Sequence, residues 1–144
     1  MKLVFGSDHA GFSLRKKLVE WATQEGHEVL ELGAQDESPY DYPDAADLVA
    51  KAVLSKEWDF GVLACGTGIG VAMSANRHKG IRAANCCTPE MAELSREHNH
   101  ANILCLGGRL LDPQQALEIL KAFLATGEDT AGRHSRRVQK LDQN

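Results

Sequence analysis

Cysteine is sparse: four residues, Cys65, Cys86, Cys87 and Cys105, with no C-x-x-C spacing among them. That excludes a zinc knuckle and a thioredoxin-type redox pair. Excess positive charge is also missing. The net charge is −4, which argues against a general nucleic-acid binder. No apolar run approaches the ~20 residues that a membrane span needs. Met1-Lys2 runs straight into a strand-like stretch, so no secretory leader is expected. The expectation is a cytoplasmic protein with reduced thiols and neither a membrane nor a nucleic-acid partner. Proline is scarce at four residues, whereas glycine is frequent at 13, which suits tight turns between many short elements. With 144 residues, 43% of them hydrophobic, the chain fits one domain, 1–144, with an ordinary core.

Charge is unevenly spread. Arg133, Arg136, Arg137 and Lys140 lie in a stretch without acids, and removing their four charges leaves the remainder at −8. An acidic body with one basic tail points to a local anion site.

Apolar periodicity alternates between strand and helix. Lys2–Gly6 reads as a buried strand, followed by Ser7-Asp8-His9 and a helix over Phe12–Gln24 ending before Gly26. His27–Leu32 is a second strand, Gln35–Pro43 a polar loop, and Ala45–Leu54 a helix capped by Asp44. Phe60–Ala64 enters the run Cys65-Gly66-Thr67-Gly68-Ile69-Gly70, and Val71–Asn76 is helical. Ile81–Ala84 is a short strand. A helix over Pro89–His98 follows, with Thr88 as cap and Pro89 at its first position. Ile103–Leu106 leads into Gly107-Gly108-Arg109. A helix from Asp112-Pro113 to about Thr126-Gly127 and a basic helical tail complete the chain. Such alternation predicts an α/β fold: a three-layer α/β/α sandwich around a parallel, Rossmann-like sheet. In such sheets ligands sit beyond the carboxyl ends of the strands. Asp8-His9, Cys65–Gly70 and Gly107–Arg109 all fall there.

The Cys65 loop fits none of three familiar anion loops. Gly66-x-Gly68-x-Gly70 has the wrong spacing for a dinucleotide fingerprint, Val71 stands where its last glycine belongs, and Asn85-Cys86 rather than an acid ends the next strand. A Walker loop needs Gly-Lys-Ser/Thr, and a cysteine phosphatase needs arginine where Val71 stands. What remains is a cysteine at the mouth of an amide-lined hole. A thiolate there could abstract a proton while the amides hold a developing oxyanion. The plainer alternative is a buried cysteine beside a packing turn.

His98 could donate a proton near neutral pH. His98 and His100 make only half a metal site, since no third ligand is spaced nearby. His27, His78 and His100 read as structural or exposed. Arg133 and Arg137 are four apart and share one helical face. They are either a forked grip on a phosphate or a solvated basic tail, with Arg136 pointing elsewhere.

Taken in order, FGSDHAGF, DYPD, CGTGIGVAMSANR, IRAANC, SREHNHANILCLGGR and GRHSRRV resemble ribose-5-phosphate isomerase type B. The similarity runs from Val4 to about Val138. The wider family includes allose-6-phosphate and galactose-6-phosphate isomerases. The resemblance implies a five-stranded parallel sheet, no metal or other cofactor, and a homodimer, or beyond it a tetramer, whose sites are shared between subunits. It implies interconversion of ribose 5-phosphate and ribulose 5-phosphate through a cis-enediolate, a step of the pentose phosphate pathway. Cys65 would be the base and Thr67 would assist at the hydroxyls. Amides from Gly66 through Gly68 to Gly70 would hold the enediolate oxygens. Asp8 and His98 would open the furanose ring. His9, Arg109, Arg133 and Arg137 would grip the phosphate, with His134 and Asn99 near the substrate and Tyr42 lining the pocket. One branch of the family places a glutamate base at the position of Val71, so the chain falls in the cysteine branch. The galactose-6-phosphate enzymes pair two different subunits. Cys65, Thr67 and His98 together favour a self-sufficient homodimer and leave open the cysteine-bearing half of such a pair. A hexose-6-phosphate isomerase on the same machinery and a non-catalytic sugar-phosphate sensor are the alternatives. The sensor would keep the arginines without needing Cys65 or His98.

Overall fold

Strict alternation of apolar side chains, each sent to one face or the other, sets the layers. The computed structural model describes residues 1–144. Its strands are β1 (Lys2–Ser7), β2 (Glu28–Gly33), β3 (Phe60–Cys65), β4 (Ala83–Asn85) and β5 (Ile103–Gly107), all parallel in the order β2-β1-β3-β5-β4. Leu3, Phe5, Val62, Ala64, Leu104 and Leu106 face one layer, with α1 (Phe12–Gln24), α4 (Pro89–Asn99) and α5 (Pro113–Ala125). Val4, Leu63, Cys65, Ile103 and Cys105 face the other, with α2 (Tyr42–Leu54) and α3 (Ile69–Ala75). This is the expected three-layer sandwich. Each fully buried large side chain, such as Phe5 or Phe123, contributes about 1.5–3 kcal/mol through removal from water. No helix is long and apolar enough to cross a membrane.

Helix starts follow local chemistry. Thr88 caps α4 as expected, its hydroxyl accepting the Met91 N–H at 3.1 Å. Asp112 and Gln115 form a reciprocal capping box on α5. Asp44 does not cap α2. The helix begins three residues earlier than expected, at Tyr42, with Pro43 in its first turn. The fixed φ of proline favours that position, and Asp44 instead lies in the first turn, where its charge suits the helix dipole. α3 likewise starts at Ile69 rather than Val71, directly after Gly68. β4 is displaced from the expected Ile81–Ala84 to Ala83–Asn85. Ile81 is buried, but its N–H closes a turn onto the His78 carbonyl (3.0 Å), so it packs without joining the ladder.

The tail is helical, as expected: α6 (Gly132–Asp142) buries only His134 and Val138. Polar clamps fasten it. At its entry, Arg96 donates to the Thr126 carbonyl (3.3 Å) and His100 Nε2 meets the Asp129 carbonyl (2.9 Å). At its far end, Arg82 Nη1 lies 3.0 and 2.9 Å from the two Asp142 carboxylate oxygens.

Candidate active site

Three loops meet at the carboxyl ends of β1, β3 and β5, and glycine permits the close approach. A Cβ on Gly11 would collide with the Ala64 carbonyl, one on Gly107 would come within 2.8 Å of the Thr67 carbonyl, and one on Gly108 within 2.9 Å of the Ala10 carbonyl. Backbone bonds fix the join: Gly108 N–H donates to Cys65 O at 2.7 Å, and Arg109 N–H to Gly66 O at 3.0 Å. The Arg109 side chain passes over Gly66, its guanidinium 3.3 Å from where a Cβ would stand.

Cys65 ends β3 and is only 5% exposed. Its sulfur accepts the Gly68 N–H at 3.2 Å. Gly68 reaches that position with φ +80°, the left-handed conformation that a side chain resists. The Thr67 hydroxyl is exposed and accepts the Ile69 N–H at 3.2 Å. A Cβ on Gly70 would lie 2.7 Å from the Tyr42 ring, so Tyr42 covers that side of the loop. Asp8 is buried, and its Oδ1 accepts the Gly11 N–H at 2.9 Å. His9 Nδ1 lies 3.1 Å from the Tyr40 amide nitrogen and 3.2 Å from the Tyr40 carbonyl oxygen, so the Tyr40 backbone holds the ring. Asp8, His9, Tyr42, Gly66, Thr67, Gly68, Gly70 and Arg109 thus gather with Cys65.

His98, Asn99, His134 and Arg137 gather elsewhere, lining one cleft between α4 and α6. The rings of His98 and His134 stack at 4.1 Å with an interplanar angle of 8°. Arg133 Nε approaches His134 Nε2 at 3.5 Å. Desolvation, then the neighbouring His98 and Arg133, holds His134 below the usual histidine range, with Asp129 opposing. His98 stacks on His134, whereas His100 Nε2 meets the Asp129 carbonyl at 2.9 Å.

Topology explains the split. α4 starts beyond the carboxyl end of β4 and returns to the amino end of β5. Between His98 and Arg109 lies the length of β5, five residues or roughly 16 Å at ~3.3 Å per residue. Within one chain the Cys65 loops and the His98 cluster occupy opposite ends of the sheet.

Two contributors escaped sequence reasoning. Asn85 ends β4 with its Oδ1 buried and unpartnered against Gly68, while its Nδ2 reaches the Thr67 carbonyl at 3.5 Å. The only hint was its place where a dinucleotide fold would carry an acid. Tyr40 acts through its backbone, which no motif encodes.

Comparison with known proteins places this geometry in context. The chain is 41% identical over 140 residues to ribose-5-phosphate isomerase B of Escherichia coli, covering 97% of this chain and 93% of that one. Among solved structures it is similar to a ribose 5-phosphate isomerase of Thermotoga maritima (48% identity, TM-score 0.97, 99% and 98% of the two chains covered). It is also similar to the type B ribose 5-phosphate isomerase of Trypanosoma brucei (38% identity, TM-score 0.94, 99% and 97% covered). A family model described as Ribose/Galactose Isomerase matches residues 3–141. With that match over nearly its whole length, the chain belongs to the ribose/galactose isomerase family.

Proposed function

We propose that this protein interconverts ribose 5-phosphate and ribulose 5-phosphate, with Cys65 as the base. The observation that carries the proposal is the Gly68 N–H aimed at the Cys65 sulfur at 3.2 Å. A negatively charged sulfur accepts such a donor more strongly than a neutral thiol does. The names of the relatives supply the substrate class.

The chemistry follows from carbon acidity. In the open-chain aldose the thiolate takes the proton from C2, and the C–H electron pair forms a C1=C2 double bond as the C1 carbonyl oxygen becomes anionic. The thiol, whose proton exchanges with solvent while the enediolate lasts, protonates C1, the C2 oxygen becomes the carbonyl, and its hydroxyl proton passes to the C1 oxygen. Amides of the Gly66–Gly70 loop stabilise the enediolate, the largest lever available for such a step. The Thr67 hydroxyl faces solvent beside them. Asp8 and His98 serve ring opening. His9, Arg109, Arg133 and Arg137 hold the phosphate, and His134, Asn99 and Tyr42 line the rest of the pocket.

These roles require both clusters at one substrate. We therefore propose a homodimer in which the His98, Asn99, Arg133, His134 and Arg137 end of one protomer completes the Cys65 end of its partner. One domain, residues 1–144, carries both ends, and the four unbridged cysteines suit the reducing cytoplasm.

Mixing inactive variants tests the arrangement. Cys65→Ala and His98→Asn protomers, each inactive alone on ribose 5-phosphate, should regain activity when refolded together, because a mixed dimer holds one intact site. No recovery, with mixed dimers demonstrated by mass, contradicts the shared site. Turnover of allose 6-phosphate or galactose 6-phosphate well above that of ribose 5-phosphate overturns the choice of substrate.

A further inference from the structure

A buried arginine needs a reason, because removing its charge from water is costly unless every donor finds a partner. Arg15, on α1, is 4% exposed and belongs to neither cluster. Its Nη1 donates to the Ser7 hydroxyl (2.9 Å) and the Leu32 carbonyl (3.0 Å), and its Nη2 to the Ala34 carbonyl (2.5 Å). Its buried Nε makes no hydrogen bond and is compensated only by the charge of Glu31, whose carboxylate oxygen lies 3.4 Å away, while the guanidinium sits 5.0 Å from the Phe12 ring centroid.

The partners share one property. Ser7 ends β1 and immediately precedes Asp8-His9. Leu32 and Ala34 flank the end of β2, where the chain enters the segment 35–41 that leads to Tyr42. Gln35, Asp36, Glu37, Ser38, Pro39 and Asp41 are all exposed and Tyr40 is half-buried, so no core side chain anchors the segment. Two attachments hold it instead. One is the Arg15 fork at its start, reinforced by the Ala34 N–H on the Ser7 carbonyl (2.9 Å). The other is the Tyr40 N–H on His9 Nδ1 near its end. The guanidinium thus fastens together the two strand ends from which His9 and its Tyr40 partner are suspended.

We infer that Arg15 is a positioning residue for substrate phosphate: by tying Ser7 to Leu32 and Ala34, it holds the 35–41 segment so that the Tyr40 amide fixes the His9 ring. This rests on the reading of His9 as a phosphate ligand. A planar fork with several fixed donors meets three acceptors at once, which a lysine ammonium cannot reproduce in the same geometry.

The test is a double-mutant cycle on steady-state kinetics with ribose 5-phosphate. Arg15→Met should raise KM by about tenfold, the scale of one charge-assisted hydrogen bond to the phosphate, with kcat changed less than about twofold on the same scale. Arg15→Lys should fall between Met and wild type. In a His9→Ala background, Arg15→Met should add nothing to KM. The Tyr40 amide resonance should move in Arg15→Met and stay in place in a variant at an unrelated surface site. If Arg15→Met does not fold, Ser7→Ala, which removes one guanidinium partner, replaces it and should raise KM by a smaller factor, again not in the His9→Ala background. A raised KM in His9→Ala beside an unchanged KM in the Arg15 and Ser7 variants overturns the inference alone. Multiplying effects in the double variant also overturn it, because Arg15 then acts independently of His9. An unchanged KM in His9→Ala overturns the reading of His9 and the inference with it.

Discussion

Substituting alanine for Gly68 probes the loop at its tightest point. Gly68 has φ +80°, and a Cβ there would overlap Asn85 Oδ1 and stand 3.0 Å from the Leu106 carbonyl carbon. The left-handed conformation costs a non-glycine residue about 1–2 kcal/mol. Forcing a methyl into a packed site adds about 1–3 kcal/mol. The sum, roughly 2–5 kcal/mol, is either taken from stability or relieved by a shift of the peptide that points at Cys65. Urea unfolding measures the first outcome as a lower midpoint at unchanged m-value. kcat measures the second. Gly127→Ala is the control, since nothing lies within 4 Å of its Cβ. Its effect should stay within about 0.5 kcal/mol. Asn85→Ala in the Gly68→Ala background removes the overlap but not the φ strain, so it should recover about half of the deficit, in line with the comparable sizes of the two costs. Refutation is specific: Gly68→Ala with wild-type stability and kcat, or a double variant no better than the single.

Further expectations concern the thiols and the tail. In native protein at pH 8 a bulky disulfide reagent should label the exposed Cys87 far faster than Cys86 or Cys105. Burial, the dominant cause in both, lifts the Cys86 thiol to about 11 and drives Cys105 well above its ordinary value. Early labelling of Cys105 would contradict the packing. The same elevation links folding to pH. Below pH 9 Cys86 is protonated in folded and unfolded chains alike. Between 9 and about 11 only the unfolded chain ionises there, so stability falls as pH rises. Cys86→Ala should flatten that fall in denaturant melts taken between these values, and an unaltered slope would show that the group contributes nothing. Asp142→Asn removes the Arg82 clamp on α6, a partly exposed pair worth about 1 kcal/mol or less. It should raise KM for ribose 5-phosphate while leaving kcat near wild type. A lowered kcat at unchanged KM would contradict the role of α6 in binding.

Much of the fold was legible because apolar alternation and capping residues are local signals. Thr88-Pro89 and Asp112-Pro113 mark their helix starts as expected. α2 starts before Asp44, although Asp44 is a good cap by type, because Pro43 in the first turn carries the stronger signal. Ile81 looked like strand because it is apolar and buried, yet burial without backbone pairing leaves it in a turn. The glycine and polar clusters at the carboxyl ends were legible from element order alone. Their separation from His98 follows from the direction in which α4 runs back across the sheet, which spacing along the chain does not express. Arg15 left no trace, because a basic residue in an amphipathic helix reads as solvated until its partners are seen to be carbonyls beneath the surface.

The role of Cys65 is tested most directly by following ribose 5-phosphate in deuterium oxide by NMR, with wild type beside Cys65→Ala, and substrate binding to the variant confirmed by calorimetry. Wild type should form ribulose 5-phosphate and exchange the transferred carbon-bound hydrogen with solvent, while Cys65→Ala should bind substrate yet slow both processes by the ~10²–10⁴-fold typical of a missing general base. Isomerisation and exchange at wild-type rates in Cys65→Ala would show that another group moves the proton.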